Sequence, residues 1–252
     1  MYPHGEKIDV SVMVDWHEQL KMIKLRFPVN TKFMKITHEI PYGHTERFAN
    51  GEEEPVQSWV DVSGISRDRE IPYGFSLLND GKYSLDVNVR DIGLTVLRSP
   101  AYAHHIPAVL EPHGNYAFID QGIQRFHYTL VPHAGSWENA STVRRAAELN
   151  QPPIAMFATF HPEGTLPPSD SFITVEPGNV MVTVLKQAED GDGLVLRAFE
   201  TSGAATRASI RLPKLGRVIE VDFGANEIKT FLIPLDPVKA ILETNLIEWP
   251  NE

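Results

Sequence analysis

Apolar and polar residues alternate along much of the chain. Ile8, Val10, Val12 and Val14 alternate with Asp9, Ser11, Met13 and Asp15. Ile23, Leu25, Phe27 and Val29 alternate with Lys24, Arg26 and Pro28. The pattern returns at Ile92, Leu94 and Val96 and at Phe126, Tyr128 and Leu130. A period of two places one set of side chains on each face of a sheet, so these segments read as half-buried antiparallel strands. Met34 to Tyr42 and Tyr73 to Leu78 read as weaker strands. Asn79-Asp80-Gly81-Lys82 has hairpin-turn chemistry and predicts a pairing of Gly74–Leu78 with Tyr83–Val87.

One helix is predicted near 137–150. Ser136 serves as its N-cap, with Asn139 at the capping-box position. Ala140, Val143, Ala147 and Leu149 form the apolar stripe, and Asn150 with Pro152-Pro153 ends it. The stretch His161 to Ser169 is rich in Pro and Gly and reads as a boundary or long loop. Five short strands follow: Val180–Leu185, Gly193–Phe199, Ala208–Leu212, Val218–Phe223 and Ile228–Ile233. Residues 189–193 form a hairpin tip. The class is all-β: a large antiparallel β-sandwich over residues 1–165, then a small C-terminal β-sandwich over 166–252.

Composition sharpens this only in places. Hydrophobic residues make up 42% of the 252 residues, enough for a real core. A net charge of −10 repels phosphate backbones and argues against nucleic acid as a partner. No apolar run reaches bilayer length, and the N-terminus lacks a signal peptide's basic start and apolar stretch, so no membrane partner is expected. With no cysteine, disulfides, thiolate metal sites and thiol nucleophiles are all excluded, which is compatible with a cytoplasmic location.

Familiar catalytic motifs are missing. His17-Glu18 is not followed by a second histidine at metalloprotease spacing. Neither a Gly-x-Ser-x-Gly elbow nor a phosphate-binding loop occurs. The segment Asp190 to Gly193 lacks the bidentate Glu of a calcium loop and reads as a turn. Asn139-Ala140-Ser141 is a glycosylation sequon inside the predicted helix, which reads as accidental. Adjacent His104 and His105 on a strand would face opposite ways, a poor arrangement for one metal ion. His127 and His133 read as hydrogen-bonded imidazoles. Glu52-Glu53-Glu54 reads as a solvated acidic loop. Trp137 reads as packing inward at the helix start. Trp59 has two readings, a core residue or a platform for the apolar face of a sugar.

The ordered segments Val14-Asp15-Trp16-His17-Glu18, Glu39-Ile40-Pro41-Tyr42-Gly43-His44-Thr45-Glu46-Arg47, Trp59-Val60-Asp61-Val62-Ser63, Tyr73 to Tyr83, Leu97-Arg98-Ser99-Pro100 and Tyr128 to Trp137 carry a resemblance. So do Asp192 to Arg197 and Glu227-Ile228-Lys229-Thr230. Together they resemble the C-terminal half of glycoside hydrolase family 38 α-mannosidases, of the bacterial and cytosolic type. The resemblance implies a large sandwich of the galactose-mutarotase-like type, incomplete here, and a smaller terminal one. It implies hydrolysis of α-mannosides with retention in a whole enzyme. There the zinc site, the Asp nucleophile and the acid/base belong to an N-terminal barrel, to which nothing here corresponds. Met1 is therefore expected to be a fragment start or a misread start codon, with no catalytic residue and no metal ligand in this chain.

The β half of such enzymes packs on the barrel and walls the active site. Two of its residues approach the substrate. The aromatic one corresponds most nearly to Trp59, where the animal pattern has tyrosine, and the arginine to Arg98. Arg98 is expected either to donate to hydroxyls or a barrel carboxylate, or to form a salt bridge within the sandwich. Asp80, Lys82 and Tyr83 lie at the predicted hairpin tip, with turn chemistry as the simpler account and substrate binding as the alternative. The expected partners are the catalytic barrel, a mannose-containing glycan and further copies of the chain. A stand-alone carbohydrate-binding module and an oligomerisation domain are the other readings.

Overall fold

The computed structural model describes residues 6–102, 106, 109–189, 191 and 193–249. His104, His105, Asp190, Asp192 and the first five residues lie outside the described residues. The chain divides into two compact units, Met1–Pro152 and Pro153–Glu252.

The first unit is a β-sandwich. Its strands are β1 (Ile8–Trp16), β2 (Met22–Pro28), β3 (Thr31–Ile40), β4 (Gly43–Glu46), β5 (Asn50–Pro55), β6 (Trp59–Ser66), β7 (Pro72–Asn79), β8 (Ser84–Asn88), β9 (Asp91–Arg98) and β10 (Gly122–His133). A six-stranded sheet runs β1-β10-β7-β6-β3-β4, and a four-stranded sheet runs β2-β9-β8-β5. All their pairings are antiparallel. Alternation decides what lies between the sheets: Val60, Val62, Leu77 and Phe126 from one side meet Leu85, Val87, Ile92, Leu94 and Val96 from the other.

The outer face of the six-stranded sheet is also covered. Helix α1 (Thr142–Asn150) and the turns before it lie on it, burying Trp59, Leu78, Val131, Trp137 and Ala146. Both faces of β6 and β7 are therefore dry where α1 covers them, and Trp59–Val62 of β6 and Ser76–Asn79 of β7 are buried without a break.

Three local expectations are corrected. The segment 79–82 does not close a hairpin. β7 belongs to the six-stranded sheet and β8 to the four-stranded one, so the chain turns a corner between layers. Buried Asn79 builds the corner, its Oδ1 accepting the N–H of Gly81 at 3.0 Å and of Lys82 at 2.7 Å. The acidic run is not a loop either. Glu52, Glu53 and Glu54 lie on β5, paired to β8. Its charges face solvent and cations, which an edge strand permits. The helix starts later than Ser136: the Ser136 hydroxyl and N–H donate to Asn139 Oδ1 in a preceding turn, which also carries the sequon asparagine.

The second unit has β11 (Thr174–Glu176), β12 (Val180–Gln187), β13 (Gly193–Glu200), β14 (Thr206–Leu212), β15 (Arg217–Phe223), β16 (Ile228–Pro234) and β17 (Leu242–Thr244). Sheets β11-β14-β15 and β12-β13-β16-β17 enclose Val180, Leu196, Ala198, Ile210, Phe223, Phe231 and Ile233. Glu200, fully buried, organises one end: its carboxylate accepts N–H groups of Ser202, Gly203, Ala204 and Asn226. Those donors, with the Ser202 hydroxyl and the Asn179 amide, outweigh burial and hold it below the usual carboxylate range.

Candidate functional site

The polar face of the four-stranded sheet is built by simple register. Lys24 and Arg26 on β2, Ser84 and Asp86 on β8, and Thr95 on β9 occupy the positions between the core residues, and Glu53 on β5 stands opposite Asp86. Buried Asp86 receives Lys24 and Arg26, the latter at 2.7 Å. Burial alone would raise its pKa, but the two cations hold it below the usual carboxylate range. These groups cross β9 at Gly93, where a Cβ would lie 2.5 Å from both Arg26 Nη1 and Asp86 Oδ1. Any larger residue there would push the Arg26 and Asp86 side chains aside.

At one end of this face the surface opens into a cleft of about 600 Å³. Met22, Val96 and Leu97 supply apolar walls, Tyr83 a phenol ring, and Glu53, Ser84, Thr95, Arg98 and Asp120 the polar groups. Apolar surface with a few convergent polar groups suits a hydroxylated ring with C–H faces.

The sequence-predicted residues fall in different places. Arg98 and Tyr83 both line this cleft. Arg98 is exposed, and among the described residues its guanidinium has no carboxylate partner, so the expected salt bridge within the sandwich is not there. Its backbone N–H donates to Asp120 Oδ2 at 3.3 Å. Tyr83 is 63% exposed. Asp80 does not line the cleft. Its Oδ1 accepts the His127 backbone N–H at 2.8 Å and its Oδ2 lies 2.7 Å from His127 Nδ1, so it clasps β10. Lys82 does line it, while its ammonium sits 4.9 Å from the Phe126 ring centre.

Trp59 is corrected outright. It is 1% exposed, beneath α1, with its ring centre 5.1 Å from that of Trp137. An indole so enclosed has no face to offer a sugar, and of its two readings the core one holds. Trp137 packs inward as expected, 4.7 Å from the His44 ring.

Glu53, Thr95, Ser84, Asp120 and Met22 are the cleft residues that sequence reasoning missed. Each is ordinary for the polar face or end of a strand. Only the pairing of distant strands brings them together, and no local pattern marks it.

A second polar cluster has the residue types of a hydrolase triad. Asp61, Ser76 and His133 meet under α1 with Thr142. The His133 Nε2–H and the Ser76 hydroxyl both donate to Asp61 Oδ2, at 2.7 and 2.6 Å. Ser76 Oγ lies 3.2 Å from the same Nε2, which is then a donor and cannot take the serine proton. In a nucleophilic triad the acid orients one ring nitrogen and the other accepts from serine. Here the histidine and the serine both donate to one carboxylate oxygen, and Asp61, Ser76 and Thr142 are all buried. The cluster ties the start of α1 to the sheet. Gly74 admits it: a Cβ there would lie 2.1 Å from His133 Cε1.

Nothing among the described residues fits a zinc ion, since no three His, Asp or Glu side chains converge on one point. No helix is long and apolar enough to cross a membrane.

Comparison with known proteins places this architecture. A model described as "Glycosyl hydrolases family 38 C-terminal domain" matches residues 1–106. Another, "Glycosyl hydrolases family 38 C-terminal beta sandwich domain", matches residues 179–251. Alpha-mannosidase G of Dictyostelium discoideum is 28% identical over 99% of this chain and 20% of its own length. Alpha-mannosidase 2C1 of Homo sapiens is 31% identical over 76% of this chain and 17% of its own length. A crystal structure of a family 38 glycosyl hydrolase from Enterococcus faecalis superposes with a TM-score of 0.75 at 18% identity, covering 92% of this chain and 29% of that one. The chain spans about a fifth of the length of the curated relatives it matches. With both sandwiches present and both family matches falling on them in order, the chain belongs to the C-terminal portion of the family 38 glycosyl hydrolases, whose relatives here are α-mannosidases.

Proposed function

We propose that this chain is the non-catalytic β part of an α-mannosidase acting on terminal α-mannosides with retention, and that its cleft walls the substrate site. Retaining hydrolysis needs a nucleophile and an acid/base on either side of the scissile bond. The proposed enzyme carries both, with its zinc, on a catalytic domain outside this chain, which by itself hydrolyses nothing. The observation that carries the reading is the cleft itself. Arg98, singled out by family resemblance, lines it together with Tyr83, and among the described residues its guanidinium has no carboxylate partner. Five guanidinium N–H donors in a fixed fork suit vicinal hydroxyls or a carboxylate of the catalytic domain. A cytoplasmic place of action fits the absence of cysteine.

The test compares p-nitrophenyl α-mannoside turnover by the native polypeptide from its source cells, with zinc, and by the isolated 252 residues. Turnover by the first alone supports the reading. Turnover by the isolated chain, or by neither, overturns it.

A second, compatible role is assembly. Residues 153–172 form no strand or helix and expose Ile154, Met156, Phe157, Phe160, Leu166 and Phe172. A few large apolar side chains left wet in one stretch are the mark of a contact surface. The proposed contact is with the catalytic domain or with another copy of the chain. Sedimentation of the isolated chain tests it: a strictly monomeric species at all concentrations removes self-assembly.

A further inference from the structure

The two carboxylates on the polar face of the four-stranded sheet differ in what they have left to offer. Asp86 is buried, with Lys24 on one oxygen and Arg26 on the other, so no ligand reaches it. Glu53 is fixed but open. Its Oε1 accepts the hydroxyls of Ser84, at 2.5 Å, and Thr95. Its Oε2 accepts Lys24 Nζ, and that ammonium is itself held by Asp86. A carboxylate has about four acceptor sites, and the three donors leave one of them, on Oε2. The Glu53 side chain is 42% exposed and lines the cleft that also holds Arg98 and Tyr83.

We infer that Glu53 is a substrate-binding residue of this cleft, accepting a sugar hydroxyl on Oε2 while Arg98 donates to another. The inference rests on the reading of the cleft as glycan-facing, and assigns the acceptor that the reading lacks. Lys24, Ser84 and Thr95 act as positioning residues. Folding has already fixed the Glu53 rotamer through three bonds from three strands, so little side-chain entropy is lost when a ligand arrives. A carboxylate acceptor also favours hydroxylated ligands over their deoxy analogues, which leave it dry and unpaired.

The ionised form is maintained as well. Partial burial raises the pKa of Glu53, but the hydrogen bonds from Lys24, Ser84 and Thr95 and the charge of Lys24 outweigh it. The group stays below the usual carboxylate range and remains an acceptor in mildly acidic solution.

The experiment titrates methyl α-D-mannopyranoside into the ¹⁵N-labelled chain and follows the Arg98 side-chain Nε–H and the backbone amides of residues 81–84 and 95–98. The wild-type chain is expected to shift at these positions. Glu53→Gln keeps the shape but not the charge and is expected to weaken binding about tenfold or more. Thr95→Val, which keeps the charge and frees Oε1, is expected to weaken it roughly two- to threefold and serves if the first variant does not fold. Lys24→Met is expected to make affinity fall with acid at a higher pH than in the wild type, because it removes the cation that holds the Glu53 pKa down. A purely structural brace would not produce that pH profile. Unchanged affinity in Glu53→Gln or Thr95→Val, with wild-type shifts at the cleft, overturns the inference and leaves the reading standing. No shift at the cleft in the wild type up to about 100 mM overturns both.

Discussion

His133 donates its Nε2–H to Asp61 Oδ2 at 2.7 Å, under the first turn of α1. The carboxylate also takes the hydroxyls of Ser63 and Ser76, and Ser76 in turn accepts from Thr142, the first residue of the helix. Asp61 is thus the common acceptor through which a strand residue, a distant strand's histidine and a helix start are held together.

Asp61→Asn keeps the shape but offers N–H where donors converge. Breaking a buried pair by changing one partner costs about 3–5 kcal/mol. Thr142→Val removes one hydroxyl and is expected to cost about 1 kcal/mol. Urea unfolding of the isolated chain measures both, and equal small losses would refute the role of Asp61.

The two aromatics that sequence offered for sugar contact should behave oppositely. Trp59→Ala empties a buried site against Trp137 and is expected to cost about 3–5 kcal/mol of stability. Tyr83→Ala, at an exposed ring, is expected to stay within about 0.5 kcal/mol while reducing mannoside-induced shifts in the cleft. Thermal unfolding with the same titration separates them.

His38 gives stability a pH dependence of known sign. Burial, and then the nearby charge of Arg47, push its pKa down to about 4, and it is nearly inaccessible to solvent. Between its unfolded value near 6.5 and this folded value, the unfolded chain binds the proton and the folded chain does not. Stability from this group is complete above about pH 6.5 and is lost as pH falls towards 4, by roughly 3 kcal/mol. Neighbouring Glu39, raised chiefly by burial against the hydrogen bonds from Ser58, acts in the opposite sense near the foot of that window. The difference between wild type and His38→Gln in urea at pH 7, 5.5 and 4.5 isolates the histidine. A variant as acid-sensitive as the wild type would exclude it.

The exposed stretch 153–172 should matter to association and not to folding. Phe157→Ser with Phe160→Ser is expected to leave unfolding within about 0.5 kcal/mol and to abolish any concentration-dependent increase in sedimentation rate. A substantial loss of stability would mean that these side chains are covered within the chain.

Sequence revealed the strands and the two-sandwich class because alternation survives wherever one face is wet, as in β1 and β2. It failed where that condition fails. On β6, Trp59 and Asp61 are as dry as Val60 and Val62, since α1 covers the second face, so no pattern distinguished a buried tryptophan from an exposed one. Asn79 to Lys82 misled for a related reason. An Asx turn uses the same residues whether the strands it joins pair or part. Arg98 was reached through family resemblance, and Tyr83 through its place at the predicted hairpin tip. Glu53 was hidden inside an acidic run, since its meaning comes from Lys24, 29 residues away, and Thr95, 42 residues away.

Among the described strands, β1 pairs with β10 alone, from Trp16 opposite Gly122 to Ile8 opposite Leu130. During synthesis, β1 leaves the ribosome more than a hundred residues before its partner. At the usual ~5–20 residues per second, it waits on the order of ten seconds with an unsatisfied, partly apolar backbone edge. The six-stranded sheet can therefore be completed only after the other strands of the sandwich have been synthesised. The nascent chain is most open to chaperones, or to mispairing with a neighbour, in that interval.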